Sequence, residues 1–148
     1  MTRQLLAVLR EGFEGPNGKV TYFLDSDGGL TNTLAKLTSA EASQSWGGNS
    51  VAAHAHHLLF SLEAFGAFIA GDRSQRDWNE SWRVNTVDDA EWARMQQDLG
   101  DGYQKLRETI KIHAESGQES LGGSLAAVAH LAYHIGAIRQ KVAALRAG

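Results

Sequence analysis

Leu5, Leu6, Leu9 and Phe13 share one side of a helix predicted over Arg3–Glu11. A stretch rich in helix breakers follows, from Gly12 to Gly29. Inside it Val20–Leu24 (VTYFL) has strand-like composition. A single short strand has nothing to pair with, so an extended segment covering the core is expected. A second, short helix is predicted at Leu30–Lys36, and a further loop runs through Trp46, Gly47 and Gly48.

The next periodic stretch predicts a long helix over Ser50–Ala70, with Asn49 as N-cap and Gly71 as its stop. Phe65, Leu58, Ile69 and Leu62 fall on one face, with His54 and His57 on or beside it. His56 points away, near Glu63. Residues 71–87 read as a polar connection carrying Trp78 and Trp82. Asp88-Asp89-Ala90-Glu91 is a capping box opening a helix from Asp89 to about His113. Its stripe is Trp92, Met95, Leu99, Gly102, Leu106, Ile110 and His113, alternating three and four as in a helix bundle. Ser116-Gly117 ends it. The last helix is predicted over Ser124–Leu145, with Ala127, Leu131, Ile135, Ile138, Val142 and Leu145 as its apolar stripe. A strip of small residues, Ala129, Ala132, Gly136 and Ala143, permits close helix contact within the bundle or across a dimer. The pattern reads as all-α, with about four main helices in a bundle.

Composition narrows this further. The 148 residues suit one domain over 1–148, and 43% hydrophobic content argues against disorder. Pro16 is the only proline, which permits long helices. No apolar run is expected to reach a membrane span of about 18 residues, since Glu63 interrupts Leu58–Ala70. Arg10 and Glu11 come too early for a signal peptide. A net charge of −3 gives no nucleic-acid footprint. Cysteine is absent, which excludes disulfides, thiolate metal sites and cysteine nucleophiles. Any metal must therefore use histidine and carboxylate ligands, and a cytoplasmic setting is expected.

Histidine is the unusual content, six in all. His130 and His134 are spaced i, i+4, so both imidazoles project from one helix face. His57 can complete a three-histidine set if its helix lies alongside. Neutral imidazole suits Zn²⁺, Ni²⁺, Cu²⁺ or Fe²⁺, and three protein ligands leave open positions, as catalytic sites do. The bland alternative is a set of hydrogen-bonded core histidines. Other templates are missing: no G-x-S-x-G and no H-E-x-x-H. Asp27-Gly28-Gly29 and Gly122-Gly123 lack the rest of a P-loop and read as turns. Asp72, Asp77, Glu80, Asp88 and Asp89 read as solvated loop and capping groups. Trp46, Trp78 and Trp82 are expected to lid the core or wall an apolar pocket. Tyr133 reads as a packing residue, and His113 as a satisfied helix-end histidine. Histidine ligation implies metal affinity that falls as pH drops through about 6.

Two segments resemble a known family. Ser50-Val-Ala-Ala-His-Ala-His-His-Leu58 is similar to the second-helix signature of the DinB/YfiT-like superfamily. Ala129-His-Leu-Ala-Tyr-His-Ile-Gly-Ala-Ile-Arg-Gln140 resembles its last-helix His-x-x-x-His segment, and Asp77-Trp-Asn-Glu-Ser-Trp-Arg83 fits one DinB-like group. Residues 1–48 match weakly. The resemblance implies an up-down-down-up four-helix bundle, often homodimeric, here with a long loop and a short extra helix near the N-terminus. It also implies a divalent metal, commonly nickel or zinc, held by His57, His130 and His134. His54 departs from the pattern, and would either replace His57 or support it. Activities in the superfamily include thiol-dependent transfer and isomerisation, using bacillithiol, mycothiol or glutathione, and many members are regarded as metal-dependent hydrolases.

Two functions follow as expectations. One is a metalloenzyme of the thiol S-transferase or hydrolase type, acting on a small molecule, possessing no nucleic-acid or membrane partner. The other is a non-catalytic bundle that binds a metal, a ligand or a partner.

Overall fold

The computed structural model describes residues 1–18, 20–25, 28–45 and 47–148. Trp46 and Asp27, both singled out from the sequence, lie outside the described residues. All regular structure among the described residues is helical. The helices are α1 (Thr2–Glu14), α2 (Leu30–Ala35), α3 (Ser39–Ala42), α4 (Val51–Ile69), α5 (Asp89–His113) and α6 (Gln118–Ala147), with a short 3-10 helix at Trp78–Trp82.

Long helices form where apolar periodicity and capping agree. Ser50, one residue after the expected Asn49, caps α4 by accepting the Ala53 N–H. The α4 chain leaves through Gly71 at φ 104, a left-handed conformation that favours glycine. Asp88 and Glu91 make the expected capping box on α5, which spans the expected residues. A second capping box, Thr38 with Glu41, nucleates α3 within what reads as loop.

α6 begins six residues before the predicted Ser124, so Gly122 and Gly123 are helical and not a turn. The reason is tertiary. Ser120 Oγ donates to the Ile69 carbonyl, and a Cβ on Gly123 would stand 2.8 Å from the Phe68 ring. Close packing against α4 thus requires glycine where local propensity discourages helix. α6 is also, by length and composition, apolar enough to cross a membrane, which corrects the expectation that no such stretch exists. The core helix of a globular fold can share that length and composition. Ala127, Leu131, His134, Ile135 and Ile138 of α6 are buried within this fold.

Helix directions follow from the contacts. α4 and α6 are antiparallel: His54 meets His134, His57 meets His130, and Ile69 meets Ser120. α4 and α5 run the same way, with Gly102 against Leu59 and Leu62, and Leu106 beside Gly66. α1 runs with α6, Thr2 bonding Glu115 and Gly12 packing on Leu131 and Ile135, and its Phe13 ring stacks on Tyr103 of α5 at 4.3 Å. Leu9, Leu34, Leu58, Leu106 and Ile138 are among the side chains that fill the shared core.

Val20–Leu24 covers the core only at its C-terminal end, where Leu24 joins the core and Phe23 reaches Gly12. Only Leu24 is buried, while Val20 and Tyr22 are exposed. The segment is held by its backbone: buried Glu11 accepts the N–H groups of Tyr22, Phe23 and Leu24 at 2.7, 2.8 and 2.7 Å. Tyr133, read as a packing residue, is 73% exposed because position 133 faces away from α4 and the core.

Candidate metal centre

The helical period puts His54, His57 and Ser61 on the α4 face turned toward α6. His130 and His134 answer from consecutive turns of α6. One ring nitrogen from each of His57, His130 and His134 lies within 4.8 Å of the others, and this three-histidine group can hold a metal ion. His57 Nε2 stands 3.0 Å from His130 Nε2. Two nitrogens on one ion, each at about 2.1 Å, would be about 3.0–3.4 Å apart. The folded imidazoles therefore already have the spacing a shared ion imposes, and the donor chemistry fits.

His54 is not in that group. Its Nδ1 lies 3.0 Å from His134 Nδ1. Of the two roles the sequence left open, the geometry corresponds to support, directed at His134 instead of His57. With Nδ1 engaged, the nitrogen His134 has left for an ion is Nε2.

Two serines complete the network. Ser81 Oγ donates to the Trp78 carbonyl at 2.6 Å, so it must accept from His57 Nδ1–H at 2.7 Å. That fixes the tautomer and leaves the His57 Nε2 lone pair facing His130. Ser61 Oγ donates to the His57 carbonyl at 2.6 Å and lies 2.9 Å from His130 Nε2. The proton between these groups therefore sits on His130 Nε2, which donates toward Ser61 and His57. Metal binding displaces that proton. His56 stands outside the cluster and donates from Nδ1 to the Ser81 carbonyl at 2.8 Å.

The 3-10 helix lies over the histidines. Trp82 stacks on His57 with centroids 4.1 Å apart and planes 15° apart, and meets His54 edge-on at 5.4 Å. Trp78 stands edge-on to His130 at 6.2 Å, and Phe65 is 5.5 Å from the same ring. Trp78 and Trp82 thus cover the histidines, and Trp78 also walls a largely apolar pocket, so both expected roles are met.

Burial decides the charge state. Desolvation, aided by the neighbouring histidines, lowers His57 to about 4 and His134 to about 3. Burial also lowers His130 and His54. The imidazoles are neutral near pH 7, the state that binds metal.

The carboxylates behave as read. Asp72 accepts from Ser74, Asp77 caps the 3-10 helix through Asn79, Glu80 pairs with Arg83, Asp88 caps α5, and Asp89 accepts from Ser39. The three-histidine group contains no carboxylate. Sequence reasoning passed over Ser61 and Ser81. Ser61 was findable, being four residues after His57 on the same face, whereas Ser81 arrives by the path of the connection and leaves no local signal. Set against family models, curated proteins and solved structures, the chain matches none.

Proposed function

We propose that the protein is a DinB-like metalloenzyme in which His57, His130 and His134 hold a divalent ion, nickel or zinc, for thiol transfer to, or hydrolysis of, a small molecule. The observation that carries the reading is the 3.0 Å approach of His57 Nε2 and His130 Nε2 inside a group of three neutral imidazoles. The helix directions support the DinB-like part: α1 and α6 run together, opposite to α4 and α5, and the α4–α5 pair needs the long connection that carries the tryptophans. These directions support the up-down-down-up order that the resemblance implies. The exposed Ala129, Gly136 and Ala143 on α6 support a homodimer. The absence of cysteine agrees with a cytoplasmic setting.

A divalent ion held there would act as a Lewis acid, lowering the pKa of a water or a low-molecular-weight thiol beside it. The protein's own groups prepare the place. Ser81 holds His57 in the Nδ1–H tautomer, and His54 occupies His134 Nδ1. Trp82 and Trp78 keep bulk water from the imidazoles, which strengthens electrostatic interactions within.

A second reading, a non-catalytic bundle, draws on one observation: each histidine of the group already has a hydrogen-bond partner within the fold. Elemental analysis beside a His130→Ala/His134→Ala variant separates the two. About one nickel or zinc per chain, lost in the variant, supports the metalloenzyme and justifies screening thiols and esters. No metal in either protein, even after Ni²⁺ and Zn²⁺ are added, overturns it.

A further inference from the structure

A cavity of about 610 Å³ opens between α4 and α6, beneath the connection that follows α4. Its volume lies within the usual range for small-molecule sites. Phe65, Phe68 and Trp78 supply aromatic walls. The α6 side has almost no side chain, being Gly122, Gly123 and Ala126. Gly122, Ala126 and His130 are four residues apart, so this bare strip leads along one helix face to the candidate metal centre. On α4, His57, Ser61 and Phe65 have the same spacing. Phe65 and Trp78, which flank His130, form the wall shared by cavity and histidines. His57 and His134 are 5% and 4% exposed, and His130 is the half-buried member. The half-buried histidine is thus the one that the cavity's Phe65 and Trp78 touch.

Each charged group lining the cavity has an ion-pair partner. Arg73 pairs with Glu119 at 2.7 Å and lies over the Phe68 ring at 4.1 Å. Arg76 pairs with Glu63 at 3.2 Å and with Asp72 at 3.6 Å. A ligand therefore meets aromatic faces flanked by charged groups that each already have an ion-pair partner.

We propose that this cavity binds an uncharged aromatic molecule of one or two rings, held against Phe65, Phe68 and Trp78 with one end toward His130. The placement of that end as a substrate's reacting end rests on the metal-centre reading; the binding itself does not.

The test uses 2-methoxynaphthalene, an uncharged two-ring fluorophore, with an anionic counterpart, naphthalene-2-sulfonate, on the metal-free protein. Gly122→Leu adds a side chain at the cavity's α6 wall, where a Cβ meets nothing within 4 Å, and leucine favours helix over glycine. Thr109→Leu alters the other large groove, between α4 and α5, and serves as control. The expected result is one neutral probe per chain, weakened at least tenfold by Gly122→Leu and unchanged by Thr109→Leu, with the anion bound more weakly. Loss of binding in Thr109→Leu alone, no binding of the neutral probe, or tighter binding of the anion each overturns the proposal. Proton NMR then locates the ligand: Co²⁺ loading should broaden the bound probe's lines and Zn²⁺ should not. A protein that binds Co²⁺ and probe together without broadening overturns the orientation toward His130. A protein that binds the probe but no metal retains the pocket and removes the metal-centre reading.

Discussion

His54 Nδ1 lies 3.0 Å from His134 Nδ1, an imidazole–imidazole hydrogen bond that joins α4 to α6 in the interior. When His134 binds an ion through Nε2, its Nδ1 carries the proton and His54 accepts it. Metal-binding histidines usually hand this proton to a carboxylate, a carbonyl or water. His54→Ala should therefore weaken Zn²⁺ binding by about 10–100-fold while leaving one site per chain. Competition against a chelator measures this. An unchanged affinity would reduce the contact to packing, and loss of the site would make His54 a ligand.

The depressed histidine pKa values make stability depend on pH. Unfolded histidines take up protons near 6.5, whereas folded His57 and His134 do so only at about 4 and about 3. Between these values the unfolded chain binds more protons, so metal-free protein loses stability as pH falls from about 6.5. The slope is at most about 1.4 kcal/mol per pH unit per histidine. Urea midpoints at pH 7.5, 6 and 5 should fall in that order, less steeply for His134→Gln. The same burial would move acid release of an ion held there below the pH of about 6 expected for ordinary imidazoles. Retention at pH 6, with loss only as pH approaches about 4, is the expected profile by equilibrium dialysis.

Glu11 is a buried carboxylate facing three N–H donors. Burial raises its pKa, but the Leu24, Phe23 and Tyr22 donors with Arg10 outweigh that, and the net shift is downward. Its contribution is therefore present above the unfolded value of 4.5 and is lost as pH falls through the lower folded value. Glu11→Gln puts an amide against N–H donors and should cost about 2 kcal/mol at pH 7. Limited proteolysis should then cut within Val20–Asp25 faster than in the parent protein; equal rates would mean the carboxylate does not hold the segment.

Gly29 has an ordinary negative φ, so its need for glycine is steric. A Cβ would come within 2.3 Å of the Gly15 nitrogen and 2.6 Å of the Glu14 carbonyl carbon, both backbone atoms. Gly29→Ala must push α2 off the end of α1, at a cost on the order of 3 kcal/mol. Gly122→Ala, which meets no atom, should be neutral or stabilising by thermal denaturation.

Where local chemistry and helical period agree, the amino-acid order alone is sufficient. The Asp88–Glu91 box and the three-four stripe place α5 from Asp89 to His113, because caps and amphipathic faces act within a few residues. The i, i+4 pair of His130 and His134, with His57 on another long helix, names the candidate ligands for the same reason. Contacts between distant segments are another matter. The helical start of α6 depends on the approach of Phe68 to Gly123, and the anchoring of Val20–Leu24 on a glutamate eleven to thirteen residues before the N–H groups it holds. That His54 serves His134, that Ser81 orients His57, and that Trp82 covers both follow from packing α4, α6 and the connection together. A buried polar group takes whichever partner the folded chain brings within about 3 Å, and sequence spacing carries no record of that distance.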